Sequence, residues 1–163
     1  MIVLGIDPGI AQMGWGIVKK VRGKKSKTGD GVKHVSHGSI KTSSSKPLSK
    51  RLLEIKRGVG ELVTEHGVEE IAIERIIFNV NKASAISVAQ SYGVILLLAG
   101  EKGLPVSEHN ALEAKHRLTG DGRADKKSVQ KELKKRFKLK KHPTPVHAAD
   151  ALAVALCHIE KLK

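Results

Sequence analysis

The chain has 163 residues, with 30 Lys and Arg against 16 Asp and Glu, and its formal net charge is +14. This length is that of a single domain, residues 1–163, and the charge predicts a polyanionic partner, above all nucleic acid. The one cysteine, Cys157, excludes an internal disulfide and a CxxC zinc site, and no apolar run approaches the roughly 20 residues of a membrane span. We therefore expect a cytoplasmic protein without membrane contact.

The first third of the chain predicts three strands. Met1–Ile6 is almost entirely apolar, as in a strand buried on both faces, and it ends at Asp7. A Pro-Gly turn follows, and Met13–Val18 resumes a strand pattern, with Gly14 placed where a neighbouring backbone can approach closely. Val32–Ile40 can return as the third strand. The first two strands should form a hairpin.

A helix and a second buried strand come next. One apolar stripe at helical spacing is formed by Leu48, Leu52, Ile55, Val59 and Leu62. Gly67 should end this helix, and Ile71–Glu74 predicts a short buried strand that terminates in a carboxylate. Asn81–Leu98 predicts a helix rich in small residues that ends at Gly100 or Gly103, and a last strand can start at Val106.

The remaining residues predict helices. Asp125 can cap a helix that carries Val129, Leu133 and Phe137 on one face, and Val146–Ile159 predicts a final apolar helix. The order of strands and helices indicates an α/β fold with a mixed sheet.

The basic residues are concentrated in two blocks. Residues 19–57 hold thirteen basic and two acidic side chains (+11), and residues 115–141 hold twelve and three (+9). The rest of the chain therefore sums to 14 − 11 − 9 = −6. This distribution predicts a binding surface beside an acidic pocket, although scattered solubilising charge is the alternative. With only four aromatic residues, phosphate contacts should dominate over base stacking.

Three carboxylates and one imidazole stand out. Asp7 and Glu74 end predicted buried strands, where a carboxylate is costly to desolvate without a cation. Asp150 lies within an apolar helix, three residues after His147 and on the same face. Together they are a ligand set for one or two Mg²⁺ or Mn²⁺ ions. Taken singly, each has a structural explanation: a turn former, a surface strand end and a helix N-terminus.

Four segments carry a family resemblance. They are Gly5-Ile6-Asp7-Pro8-Gly9, Ile71-Ala72-Ile73-Glu74, Gly120-Asp121-Gly122-Arg123-Ala124-Asp125-Lys126 and His147-Ala148-Ala149-Asp150-Ala151-Leu152-Ala153. In this order they resemble the successive signatures of the RuvC Holliday-junction resolvases, from about Ile2 to about His158. The first segment also resembles the opening of sugar kinases and Hsp70-like ATPases. Those folds need two such domains, for which 163 residues leave no room.

The resemblance implies an RNase H-like α/β fold, with a mixed five-stranded sheet flanked by helices. It implies a homodimer that binds four-way junction DNA and nicks two strands of equal polarity, with Mg²⁺ as cofactor and Mn²⁺ as a substitute. Two-metal chemistry would leave 5′-phosphate and 3′-hydroxyl ends. A branch-migration helicase complex, a bacterial or phage source and a nucleoid location are further implications.

The same resemblance assigns residue roles. Asp7, Glu74, His147 and Asp150 correspond to the metal ligands of the family. Lys115 and Lys126 match its basic residues near the scissile phosphate, and these six are the predicted catalytic residues. The predicted DNA-contacting residues are Ile77, Phe78, Lys115, Arg123 and Lys126.

The sequence departs from the family pattern at several positions. Many relatives carry an aromatic residue where this chain has Ile77, so either Ile77 and Phe78 form an apolar wedge at the junction centre or Phe78 packs in the core. His147 replaces the more usual Asp; it either ligates the metal, which would favour Mn²⁺, or carries a proton near the attacking water. The basic loop Gly23–Gly31 is expected either to extend the DNA contact or to stay disordered.

Two other functions stay open on the sequence alone. An RNase H-like nuclease acting on RNA shares the predicted fold, and only the basic, dimeric surface argues against it. A non-catalytic junction-binding protein is the second alternative, and the intact acidic set argues against that. The small residues of the Asn81–Leu98 helix permit close approach of a second copy, although an internal core helix explains them as well.

Overall fold

The computed structural model describes residues 1–21, 31–76 and 82–162, with residues 82–84 described by their backbone alone. The strands are β1 (Ile2–Asp7), β2 (Gln12–Lys20), β3 (Val32–Lys41), β4 (Glu70–Glu74) and β5 (Val106–His109). The helices are α1 (Leu48–His66), α2 (Lys82–Lys102), α3 (Ala111–Thr119), α4 (Lys126–Phe137) and α5 (Val146–Lys161). Within these ranges, no helix combines the length and the apolar character that a membrane crossing requires.

The five strands form one mixed sheet in the order β3-β2-β1-β4-β5, which confirms the predicted architecture. The first three strands are antiparallel to one another, and β4 and β5 run parallel to β1. The central strand is β1, the most apolar segment near the N-terminus, and four of its six residues are buried. The parallel arrangement places the C-terminal ends of β1 and β4 side by side.

Helices cover both faces of the sheet. On one face, α5 is the central helix, and α3 and α4 pack beside it. This side of the core includes Val3, Val18, Ala72, Ala114, Val129, Leu133, Leu152 and Ile159. On the other face lie α1 and α2, and this side includes Leu4, Ile6, Ile17, Ile55, Val59, Ile71, Ile95 and Leu98. The alternation of side chains along β1 explains the division, because odd-numbered residues face α5 and even-numbered residues face α1 and α2.

The apolar stripe predicted for α1 is partly wrong. The buried residues are Ile55, Val59 and Val63, whereas Leu48 is 42% exposed. Residues 43–50, which lead into the helix and include its first residues, are all exposed, so this end of α1 lies at the surface.

Several helix boundaries differ from the prediction. The helix α2 continues past Leu98 to Lys102 and ends at Gly103, one of the two glycines predicted to end it, which has φ of 65°. The helix α3 was not predicted, although Asn110 caps it by accepting a hydrogen bond from the Leu112 N–H at 2.8 Å. Gly67 ends α1 with φ of 60°, and Asp125 caps α4, as predicted. Cys157 is buried.

Candidate metal centre

Asp7 and Glu74 end two neighbouring parallel strands. Ile6 of β1 is in register with Ile73 of β4, so the next residue of each strand is one of the two acids. Parallel neighbours lie about 5 Å apart across a sheet, and the charge of Asp7 raises the pKa of Glu74. The two acids are therefore adjacent at one edge of the sheet, on the face that α5 covers.

Glycines allow α5 to reach this edge. A Cβ atom on Gly14 would lie 2.0 Å from the His147 carbonyl oxygen, and one on Gly5 would lie 2.0 Å from the Ala151 carbonyl oxygen. Both glycines thus let the helix backbone rest directly on β1 and β2, as anticipated for Gly14. The result is that His147 Nδ1 lies 2.7 Å from Asp7 Oδ2, across 140 residues of sequence. When the Asp7 carboxyl group is ionised, this ring nitrogen donates the hydrogen bond.

Asp150 stands in the second turn of α5. The helix begins at Val146, as predicted. His147 and Asp150 face the same way, as their spacing predicted. Among the residues that the structure describes, Asp7, His147 and Asp150 form one group whose ligand atoms all lie within 4.8 Å of one another.

All three carboxyl groups hold their protons more tightly than usual. Burial is the largest cause in each case, and it raises the pKa of Asp7, of Asp150 and of Glu74, the last to about 7. Negative neighbours raise it further, because Asp7 and Asp150 act on Glu74. A divalent cation would relieve both the desolvation and the repulsion. Hard carboxylate oxygens with one imidazole fit such an ion, so the donor set passes this chemical test.

Two lysines border the acidic group. Lys115, half-buried on α3, lowers the pKa of Glu74 and Asp150 through its charge, and Lys126, the exposed first residue of α4, does the same for Asp7 and Asp150. Both amines are therefore near enough to act on the carboxylates. Any phosphate that approaches the acids would meet these two positive charges.

Of the other residues predicted to contact DNA, the structure describes only Arg123. Arg123 is exposed in the turn between α3 and α4, and its backbone N–H donates to Asp121 Oδ1 at 2.8 Å. Gly120 ends α3 with φ of 82°, which explains it as a helix-terminating residue. Ile77 and Phe78 lie outside the described residues, as does most of the Gly23–Gly31 stretch.

A buried polar group that the sequence did not predict ties α5 to the sheet behind the site. His109 Nε2 and His158 Nδ1 lie 3.0 Å apart, and both rings are buried. His158 Nε2 lies 3.0 Å from Glu70 Oε2, but without the alignment of a hydrogen bond. The His109 carbonyl accepts from the N–H of Arg75, the residue after Glu74, at 2.8 Å. These residues carry no spacing signal because the two histidines are 49 positions apart.

The chain matches one protein family over most of its length. The family described as "Crossover junction endodeoxyribonuclease RuvC" matches residues 3–158. A relative of that name from Clostridioides difficile is 40% identical over 163 residues, covering 100% of this chain and 92% of its own length. The Thermus thermophilus RuvC structure is 35% identical with a TM-score of 0.84, over 97% of this chain and 93% of that one. The structure of the Thermus thermophilus RuvC in complex with Holliday junction substrate is 34% identical with a TM-score of 0.86, over 97% of this chain and 92% of that one.

A mixed five-stranded sheet with carboxylates gathered at the ends of β1 and β4 defines the class of RNase H-like nucleases, which confirms the fold that the four sequence segments implied. Within that class the match is specific and covers nearly the whole chain. The chain belongs to the RuvC family of crossover junction endodeoxyribonucleases, as the order of its motifs predicted.

Proposed function

We propose that this chain is a structure-selective endonuclease that resolves four-way DNA junctions by paired, metal-dependent nicks. The observation that carries the proposal is the convergence of Asp7, Glu74 and Asp150, from three separate elements, beside Lys115 and Lys126. The net charge of +14 supports a nucleic acid substrate. The name of the curated relatives and the Thermus thermophilus complex with a Holliday junction support a DNA junction rather than RNA.

The cation belongs between the acids. Asp7, Glu74 and Asp150, with His147, would hold one or two Mg²⁺ ions, for which Mn²⁺ can substitute. When bound, such ions activate a water molecule and stabilise the leaving 3′ oxygen of a phosphodiester, which leaves 5′-phosphate and 3′-hydroxyl ends. Asp7 is the central ligand in this assignment because it lies on the middle strand, next to Glu74 on one side and to His147 on the other.

The remaining residues position the substrate. Lys115 and Lys126 attract the scissile phosphate and offset the charge that builds up on it during cleavage. His147 uses Nδ1 on Asp7, and its side chain is 44% exposed, so Nε2 is the nitrogen left for a cation or a proton. We assign His147 as a metal ligand. The alternative role is that of a proton carrier, and the metal preference of the His147→Asp variant distinguishes the two.

A homodimer would present two such centres to two symmetric strands. Its interface is assigned to the outer face of α2, where Ile86 is 61% exposed and Leu97 is 58% exposed. Residues 83–100 contain no charged side chain, which is unusual for five turns of helix with an exposed face. A second copy of the chain would cover this face by the same residues, as two-fold symmetry requires. Association with a branch-migration helicase stays a prediction from the family resemblance.

The test uses three labelled substrates: an immobile four-way junction, a matched linear duplex and a hairpin RNA, each with and without Mg²⁺. The wild-type chain should cut the junction alone and only with metal. Asp7→Asn should bind the junction but leave it intact, whereas Glu65→Gln, which removes an exposed carboxylate of α1, should cut normally. Cleavage of the hairpin RNA in preference to the junction, or junction binding without cleavage by the wild type, would contradict the proposal.

A further inference from the structure

A row of lysines runs along the outer face of α4. Lys127, Lys131 and Lys135 are all exposed, and their spacings of 4 and 4 place them on one side of the helix. Lys138, the exposed residue that ends the helix with φ of 52°, continues the row past the last turn. Val129 and Leu133, which pack into the core, are each two residues from a lysine of the row, about 200° around the helix. The α4 lysine row therefore points directly away from the protein.

The row starts at the metal centre and leads away from it. Lys126, at the N-terminal end of α4, lies near enough to Asp7 and Asp150 to act on both charges. At the other end, Arg136 pairs with Glu160, which lies in the last turns of α5. Since α5 itself begins at the centre with His147, both helices run outward from it. The row covers about 16 Å from Lys127 to Lys138.

The segment that contains α4 carries charges of almost one sign, and their repulsion destabilises the helix. Residues 126–141 hold nine basic side chains and one acidic, a net +8. Lys127 and Lys131, like Lys131 and Lys135, are like charges at i and i+4, a spacing that destabilises a helix by about 0.2 to 0.5 kcal/mol per pair. The one described ion pair within the row, Lys135 with Glu132 at 3.8 Å, is exposed and weak. A helix that needed only solubility would mix the two signs.

We propose that the α4 lysine row binds the phosphate backbone of the duplex arm next to the cleavage point, over about five base pairs. Duplex DNA rises about 3.4 Å per base pair, so 16 Å of lysines matches that length. The inference rests on the proposed function and extends it, because it names the part of the substrate that this helix contacts. A row facing a backbone gives affinity without reading sequence.

The first experiment measures binding in EDTA as a function of salt. A triple variant, Lys127→Gln with Lys131→Gln and Lys135→Gln, keeps helix propensity and removes the like-charge pairs. In the triple variant, the slope of log affinity against log salt should become shallower by about 2.7 for each protomer that contacts the DNA. Between about 50 and 200 mM salt, the wild type should therefore lose about 40-fold more affinity than the variant. The control, Lys102→Gln, removes an exposed charge at the end of α2, on the other face of the sheet and outside both basic blocks, and should change the slope by less than about 0.5.

The second experiment locates the contact. Cys157 is the only cysteine and is buried, so Lys131→Cys introduces a single accessible thiol. Junctions that carry a thiol tether at successive phosphates should crosslink most strongly about two base pairs from the cut, because Lys131 lies about 7.5 Å along the helix from Lys126. An unchanged salt slope, or crosslinking that is uniform along the arm, would overturn the proposal. A wild-type chain that binds junction and linear duplex equally well would instead contradict the proposed function. The lysine contact would still be testable in that case, because the salt slope can be measured on the linear duplex.

Discussion

Replacing Glu74 should stabilise the metal-free protein, and only at high pH. The pKa of Glu74 is raised from 4.5 to about 7, first by burial and then by Asp7 and Asp150. The folded chain therefore holds this proton more tightly than the unfolded chain, so stability falls as pH rises from about 4.5 through about 7. The difference between a pKa of 4.5 and one of about 7, at about 1.4 kcal/mol per pH unit, limits the loss of stability to about 3.5 kcal/mol once both states are ionised, and pH 8 reaches most of it.

Glu74→Gln removes that loss without changing the shape of the side chain. In urea unfolding with EDTA, the variant should match the wild type near pH 4.5 and exceed it by about 2 to 3 kcal/mol near pH 8. With saturating Mg²⁺ at pH 8, the wild type should instead be more stable than the variant, because the cation binds the folded wild type through its ionised carboxylates. The control Glu65→Gln removes an exposed carboxylate and should give a difference that does not vary with pH. If Glu74→Gln behaves like this control, the electrostatic account of the site is wrong.

Three further predictions address the site, the packing and the dimer. His147→Asp should shift the metal preference of junction cleavage from Mn²⁺ toward Mg²⁺, measured as the ratio of the two rates, and an unchanged ratio would argue against direct ligation. Gly5→Ala should destabilise the fold by about 1 to 3 kcal/mol in urea unfolding, because its Cβ would meet the Ala151 carbonyl. The control Gly60→Ala, whose added Cβ would have its nearest neighbour 3.7 Å away, should stabilise α1 by about 0.5 to 1 kcal/mol. Equal effects of the two substitutions would refute the close approach of α5 to Gly5. Leu97→Glu should shift a dimer to monomer in sedimentation at matched concentration, and an unaltered mass would exclude the α2 face.

The predictability of the fold followed the strength of local signals. The strands β1 and β4 are short runs of apolar residues, and each ends in an acid, so both the strands and the adjacency of Asp7 and Glu74 could be anticipated. The helix α3 was missed because only Ala114 is buried among its nine residues, so it has almost no apolar stripe. Its cap, Asn110, was the signal that could have identified it.

Contacts between distant segments were harder to anticipate. The 2.7 Å contact between His147 and Asp7 depends on the depth to which α5 settles on the sheet, and that depth is set by Gly5 and Gly14 together. The pair of His109 and His158 depends on the same packing. Periodicity within one segment reports which face is apolar, but not how far two segments approach each other.

The most direct test of the central claim is anomalous diffraction from crystals of the wild-type chain that contain Mn²⁺. The account predicts a peak about 2.2 Å from a carboxylate oxygen of Asp7, shared with Asp150 or Glu74. A manganese peak bound elsewhere, with none in contact with Asp7, would contradict the claim that these acids form the metal centre.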